Sequence, residues 1–116
     1  MNAELALKPL LNDLGGDRQQ VRELVEMFLD EAPRLMKEGR AALAAKDAPV
    51  VQRAYHTLKG SSAQFGLEEV RQQSLVIEQA ARGGVMPSAT QLATLDKAWA
   101  EAQKDLAAWA KAVPAA

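Results

Sequence analysis

The sequence lacks cysteine and contains a single histidine, His56. The absence of cysteine excludes disulfides and thiolate metal sites, and a lone histidine has no second imidazole with which to form a zinc site. No apolar run approaches the length of a membrane span, and Glu4 and Asp13 accompany the N-terminal apolar residues in a pattern unlike a signal peptide. We therefore expect a cytoplasmic domain with no metal site and no membrane association.

The charges show no excess of one sign along the chain. There are 14 basic and 15 acidic residues, the formal net charge is −1, and no block of like charge occurs. Non-specific nucleic-acid binding needs a basic surface, so nucleic acid is excluded as a partner. Hydrophobic residues make up 48% of the 116 residues, which is typical of an ordered globular protein. A chain of this length predicts one domain, residues 1–116, with a single core.

Helical periodicity runs through every segment between the glycine and proline turn signals, and there is essentially no strand signal. Five helices are predicted. The first covers residues 3–14, with Pro9 in an early turn or kink, and the second runs from Asp17 to the turn at Lys46, with a kink at Pro33. The remaining three run from near Asp47 to about Phe65, over residues 67–82, and from Ser88 to the C-terminal end. The apolar residues recur three or four positions apart, and Trp99 and Trp109 among them are predicted to pack in the core or at the bundle edge rather than to form a ligand site. The predicted fold is all-α: an up-and-down antiparallel four-helix bundle with a short additional N-terminal helix.

The helix that carries His56 has two distinct sides. One side is apolar, and its centre is formed by Val51, Ala54, Leu58, Ser62 and Phe65. His56 lies opposite that stripe, on a face shared with Gln52, Arg53, Lys59, Gly60 and Ala63. We therefore expect the imidazole to point outward from the middle of the helix, with a basic residue one turn away on each side.

An exposed histidine is often an ordinary solvated residue, and that interpretation competes with a chemical role. Gly60 favours a role, because glycine inside a helix costs about 0.5–1 kcal/mol relative to alanine and here leaves room for another molecule to approach. Arg53 and Lys59 would attract an anion, and neutral imidazole has one ring nitrogen free as a nucleophile. Phosphoryl transfer needs in-line geometry and charge neutralisation, which such a face can supply.

The segment around His56 resembles the signature of bacterial histidine phosphotransfer (HPt) domains. The matching residues are His56-Thr57-Leu58-Lys59-Gly60-Ser61-Ser62-Ala63, Phe65-Gly66, Ser74, Ile77-Glu78, Phe28-Leu29 and Ala44-Ala45-Lys46-Asp47. The resemblance covers about residues 17–82, and the first and last helices match only in pattern.

The resemblance implies that His56 accepts a phosphoryl group from an aspartate of a response-regulator receiver domain and passes it to another. It implies that Lys59 interacts with the phosphate and that Gly60 leaves room for the receiver. The family often has glutamine at the position of Glu78, where it hydrogen-bonds the imidazole. Here Glu78 either orients the ring as an acceptor and raises its basicity, or is a solvated charge.

The expected partners are receiver domains and a hybrid sensor kinase, bound by a monomer. The residues expected to contact a partner are Gln52, Arg53, Ala63, Gln64 and Glu78. No cofactor is expected on this chain, because the divalent cation for transfer is expected on the receiver domain.

Three function classes are compared. A phosphocarrier without kinase activity fits best. A catalytic kinase fragment would need a Gly-rich phosphate-binding loop, and this sequence has none. The chain could still be the detached tail domain of a hybrid sensor kinase. Met1 and the complete helical set favour a free-standing protein instead. A non-catalytic helical interaction module would need neither His56 nor Lys59.

Overall fold

The computed structural model describes residues 1–114, and this part of the chain contains six helices and no strand. The final two residues of the expected domain, 115–116, lie outside the described residues. The helices are α1 (Ala3–Ala6), α2 (Lys8–Asp13), α3 (Arg18–Ala44), α4 (Ala48–Gln64), α5 (Glu68–Arg82) and α6 (Ala89–Ala112). Within residues 1–114, no helix is both long and apolar enough to cross a membrane.

The N-terminal segment forms two short helices where the sequence predicted one. The break falls at Leu7, which is both the C-cap of α1 and the N-cap of α2. Pro9 lies in the first turn of α2, where its missing N–H leaves no helical hydrogen bond unmade. A continuous helix would need the Pro9 nitrogen to donate to the Leu5 carbonyl, which proline cannot do, so the helix restarts instead.

The starts of the long helices agree with the capping residues in the sequence. The Asp17 side chain accepts from the Gln20 N–H at 3.0 Å, and the Asp47 side chain accepts from the Val50 N–H at 3.3 Å. Ser88 begins α6 with a reciprocal capping box to Gln91. Helix α3 is a single element of 27 residues that continues through the exposed Pro33.

Helices α3 to α6 form the predicted up-and-down bundle. Helices α4 and α6 each pack against both α3 and α5, and short turns join consecutive helices. The contact between Arg40 and Asp96 joins the end of α3 to the start of α6, and the Arg22 side chain donates to the Val113 carbonyl at the other end. These two contacts show that α3 and α6 run antiparallel.

The core lies between the four helices and includes both tryptophans. Trp99 and Trp109 are 6% and 8% exposed, which confirms that they belong to the core. The Phe28 ring stacks on Phe65 at 4.6 Å between centroids and meets the Trp99 ring edge-on at 5.4 Å. Such aromatic pairs add about 0.5–1.5 kcal/mol each beyond the area they bury.

Helices α1 and α2 cover one end of the bundle. The Glu4 carboxylate accepts from Trp109 Nε1 at 3.0 Å and pairs with Arg18 at 2.6 Å. Gly66, in the turn between α4 and α5, has φ +71°, and a Cβ there would collide with the Ala6 carbonyl. Glycine is therefore required at position 66 both by its left-handed backbone and by the close approach of α1.

Candidate functional site

His56 lies on the outer face of α4, as the helical pattern predicted. Its side chain is 64% exposed. Arg53, Gly60, Ala63 and Gln64 are also exposed on this helix, whereas Gln52 and Lys59 are partly buried. The opposite side of α4 is packed into the core, with these residues buried: Val51, Ala54, Leu58, Ser62 and Phe65.

The imidazole of His56 is held by a carboxylate from the neighbouring helix. Nδ1 of His56 lies 3.1 Å from Oε2 of Glu78 on α5. An ionised carboxylate only accepts hydrogen bonds, so the proton of the neutral ring is on Nδ1. Nε2 therefore keeps its lone pair on the exposed part of the ring and is available as a nucleophile.

Glu78 is buried and binds two cations in addition to the imidazole. Its side chain is 2% exposed, Nζ of Lys59 lies 2.8 Å from Oε2, and a guanidinium nitrogen of Arg82 lies 3.2 Å from Oε1. Burial raises the pKa of Glu78, but the hydrogen bond and charge of Lys59, together with those of His56, outweigh burial and leave the pKa below its ordinary value. The carboxylate is therefore ionised at neutral pH.

Burial decides between the two interpretations of Glu78 that the sequence left open. The carboxylate is not a solvated charge, because it is enclosed and has three hydrogen-bonding partners. Glu78 is also an expected partner-contacting residue, and its exposed neighbours on this face are His56 and Arg82.

Arg82 is a site residue that the sequence analysis did not include. It is one turn after Glu78 on α5, and its side chain is 62% exposed while one nitrogen binds the carboxylate. The spacing of Glu78 and Arg82, four residues apart on one helix, is the pattern from which this pair could have been found. Arg82 brings a second guanidinium to the exposed face around His56, in addition to that of Arg53.

Lys59 is one turn from His56, as the sequence predicted, and it is paired with Glu78. Its side chain is 24% exposed and its ammonium is bound to Glu78. Arg53, one turn before His56, is exposed and forms no ion pair with any residue of the range 1–114. Lys59, Arg82 and Arg53 together carry three positive charges against the one negative charge of Glu78, so the face around His56 has a surplus of positive charge.

Gly60 leaves open space one turn after His56. No atom lies within 4 Å of the position that a Cβ would take. The glycine is therefore not required by packing against a neighbouring helix. On the side of α4 toward α3, the Ser61 hydroxyl donates to Glu31 at 3.1 Å.

Two small buried residues accompany the contact between α4 and α5. Ser62 and Ser74 are both fully buried. Ser62 lies on α4, and Ser74 lies on α5 one turn before Glu78. Within residues 1–114, His, Asp and Glu side chains form no cluster that could hold a metal ion.

The family model of the Hpt domain matches residues 23–109. This span is most of the chain, so the chain belongs to the Hpt domain family. The match extends through α6 as far as Trp109, beyond the range 17–82 covered by the sequence resemblance, and it leaves out α1 and α2. No curated protein and no solved structure matches the sequence.

Membership of this family defines the general activity. Hpt domains are phosphocarriers of two-component signalling, not kinases, and they interact with receiver domains. The all-helical bundle with an exposed histidine on one face is consistent with that class.

Proposed function

We propose that this chain is a phosphorelay intermediate in which His56 accepts a phosphoryl group from the aspartate of one receiver domain and passes it to another. The observation that supports this most strongly is the state of the imidazole: Nδ1 is bound to a buried carboxylate and the ring is 64% exposed. Such a ring presents Nε2 to a partner in a fixed orientation and tautomer.

The transfer itself requires little covalent machinery from this chain. The Nε2 lone pair of His56 forms a bond to phosphorus, the bond from phosphorus to the aspartate oxygen breaks, and its electron pair returns to the aspartate carboxylate. The ring gains positive charge in this step, and the carboxylate of Glu78 at 3.1 Å stabilises it. The second transfer reverses these steps on another receiver.

The cations at the site neutralise the transferred group. The ammonium of Lys59 and the guanidinium of Arg82 lie on Glu78, next to the ring that would carry the phosphoryl group. Either can exchange a contact with Glu78 for one with a phosphoryl oxygen, since the carboxylate retains its remaining partners. The receiver domain supplies the divalent cation, and this chain acts without a cofactor.

The partner surface surrounds the open space at Gly60. Gln52, Arg53 and Ala63 lie on the same face of α4 as His56, and Gln64 lies at the edge of that face toward Ser61 and α3. All four would contact the receiver. The phosphoryl group enters the relay from a hybrid sensor kinase. We propose that residues 1–116 work as one cytoplasmic, monomeric phosphotransfer domain.

The experiment uses radiolabelled receiver domains from the same genome, each incubated with wild type, His56→Gln and Thr94→Ala. Wild type and Thr94→Ala, a change of an exposed residue on α6, should take label from at least one receiver, and His56→Gln should take none while keeping its helicity. The label should be lost in acid and retained in alkali, as a nitrogen-linked phosphate is. Label on His56→Gln, or none on wild type with any receiver, contradicts the proposal.

A further inference from the structure

A cavity lies between α5 and α6, beside the turn that joins α4 to α5. Its volume is about 190 Å³. The floor of the cavity is formed by buried apolar side chains from the start of α5 and the middle of α6: Leu67, Val70, Ala98 and Ala102. An apolar cavity of about 150 Å³ holds a benzene ring. The cavity is therefore large enough for a leucine or phenylalanine side chain of another molecule.

Carboxylates surround the opening of this cavity. Glu68, Glu69 and Glu101 line it and are exposed, and within residues 1–114 no lysine or arginine lines it. Glu68 pairs with an arginine of its own helix, whereas Glu69 and Glu101 form no ion pair in the same range. Lys97 and Lys104 are one turn from Glu101 on α6 but do not pair with it. Two carboxylates are thus available for cations of a bound molecule.

The apolar surface continues along α5 past the cavity. Val76 is 46% exposed although it is a large hydrophobic residue. It follows Glu69 by seven residues, which places it two turns further on the same side of α5, roughly 10 Å along the helix axis. A small molecule in the cavity does not reach Val76, whereas a peptide segment does. We call the cavity together with Val76 the α5–α6 groove.

The α5–α6 groove faces away from the site at His56. Val76 and Glu78 are two residues apart, and a helix turns by about 100° per residue, so these two side chains point to nearly opposite sides of α5. Glu78 contacts His56 on the side of α4, and the cavity lies on the side of α6. A molecule bound in the groove therefore leaves His56 accessible.

We propose that the α5–α6 groove binds a basic amphipathic segment of a second protein. One apolar side chain of the segment enters the cavity, another packs on Val76, and its lysine or arginine residues pair with Glu69 and Glu101. The two apolar residues are then about three positions apart in an extended segment or about seven in a helix. Acidic segments are excluded by like-charge repulsion. Such a partner holds the domain from one side while a receiver reaches His56 from the other.

The probes are short fluorescein-labelled synthetic peptides. One series carries two leucines at the extended spacing and a second carries them at the helical spacing, with lysines around them in both. Matched peptides have glutamate in place of every lysine. Binding to the full chain is measured by fluorescence anisotropy, and the bound surface is located by changes in the backbone amide signals in NMR.

Two variants and a control separate the charged and apolar parts of the groove. Glu69→Lys with Glu101→Lys reverses the two free carboxylates, and Val76→Gln removes the exposed apolar side chain but keeps a good helix former. Glu23→Lys with Asp30→Lys makes the same change in net charge at two exposed carboxylates of α3 that form no ion pair within residues 1–114. Urea unfolding checks that each protein is folded.

Lysine peptides of at least one spacing should bind wild type saturably and shift the amide signals of residues 67–70, 76 and 98–102. Binding should weaken about tenfold in the Glu69 and Glu101 double variant, because two ion pairs are lost. It should also weaken in Val76→Gln and stay close to wild type in the control. Glutamate peptides should not bind, and a saturating lysine peptide should leave phosphoryl transfer to His56 unchanged.

Three results would overturn the inference: no saturable binding of any lysine peptide, amide signals that change around His56 and not in the groove, or an equal loss of binding in the control. Groove signals that change with protein concentration alone, with a dimer in sedimentation, would assign the groove to a second copy of the chain and overturn it as well. A bound peptide that slows transfer would contradict the separation of the two faces. Binding is measured without transfer, so these results are distinguishable from a failure of the proposed function.

Discussion

At the scale of single residues, the site depends on one buried carboxylate. Glu78 connects the nucleophilic ring to two cations, with His56 and Lys59 both bound at Oε2. Burying a carboxylate costs several kcal/mol unless its oxygens are paired, and here three donors offset that cost. The same contacts lower the pKa of Glu78 and hold the imidazole in one tautomer. The Glu78 carboxylate therefore contributes both to the packing of the folded protein and to the orientation of the imidazole.

Two substitutions at Glu78 separate orientation from charge. Glu78→Gln keeps an oxygen that can accept from Nδ1, whereas Glu78→Leu removes the acceptor. We expect Glu78→Gln to transfer within severalfold of wild type and Glu78→Leu to lose about tenfold or more, because the ring is no longer oriented. Single-turnover transfer rates measure this effect, and ¹⁵N chemical shifts of the His56 ring report the tautomer.

Thermal or urea unfolding of both Glu78 variants is the control that shows whether they are still folded. Lys59 and Arg82 are 24% and 62% exposed, so their charges can reach water when the carboxylate is absent, and both variants should fold. A Glu78→Leu protein that transfers as fast as wild type, with an unchanged ring tautomer, would show that Glu78 has no positioning role.

At the scale of helices, two interior glycines have opposite reasons to be there. Gly60 in α4 faces open space, whereas a Cβ at Gly39 in α3 would lie 2.6 Å from Cε2 of Tyr55. The Tyr55 ring is 1% exposed and cannot move into solvent. Gly39 therefore makes room inside the bundle, and Gly60 leaves room outside it.

The two alanine substitutions should change stability in opposite directions. Gly60→Ala should stabilise the bundle by up to about 1 kcal/mol through helix propensity. Gly39→Ala should destabilise it by about 1–3 kcal/mol, because the buried Tyr55 ring must shift. Urea unfolding measures the stability of both alanine variants.

A third variant, Gly60→Gln, tests the open space itself. It should keep wild-type stability while phosphoryl transfer slows, since the longer side chain fills the space that the receiver needs. If Gly60→Gln lowered the stability of the bundle, the α4 face at Gly60 would have to be packed against another part of the protein and not open to solvent.

At the scale of the whole molecule, the N-terminal helices lie outside the family match but are pinned to the bundle. Glu4 joins α1 to Trp109 of α6 and Arg18 of α3, and the Arg18 guanidinium also lies over the Trp109 ring. The hydrogen bonds from Arg18 and Trp109 lower the pKa of Glu4 from 4.5 to about 2. A carboxyl group with a lowered pKa in the folded state adds stability above its ordinary pKa and loses that contribution as pH falls.

The pH dependence of unfolding tests this attachment. Wild type should melt at a higher temperature than Glu4→Gln near neutral pH, and the difference should shrink as pH falls from 4.5 toward 2. Glu4 is exposed, so solvent screening keeps the difference small. Glu23→Gln is the matched control, an exposed carboxylate of α3 with no ion pair within residues 1–114. A difference between wild type and Glu4→Gln that does not change with pH would contradict the assigned role.

The sequence alone determined the features that depend on neighbours within one helical turn. Asp17, Asp47 and Ser88 mark helix starts because a cap acts on backbone groups two or three residues away. The outward position of His56 followed from helical periodicity for the same reason. The sequence placed Pro9 in an early turn or kink of one helix, but it did not predict a break into two helices at Leu7, because the periodic pattern continues across that residue.

The resemblance already associated Glu78 with the imidazole, and only the tertiary structure decided that this carboxylate is buried and also binds Lys59 and Arg82. Glu78 is 22 residues from His56, and their contact depends on how closely α4 and α5 pack and in what register. That packing also places Arg82 beside the ring and encloses the carboxylate. Periodicity within one helix carries no information about these alignments.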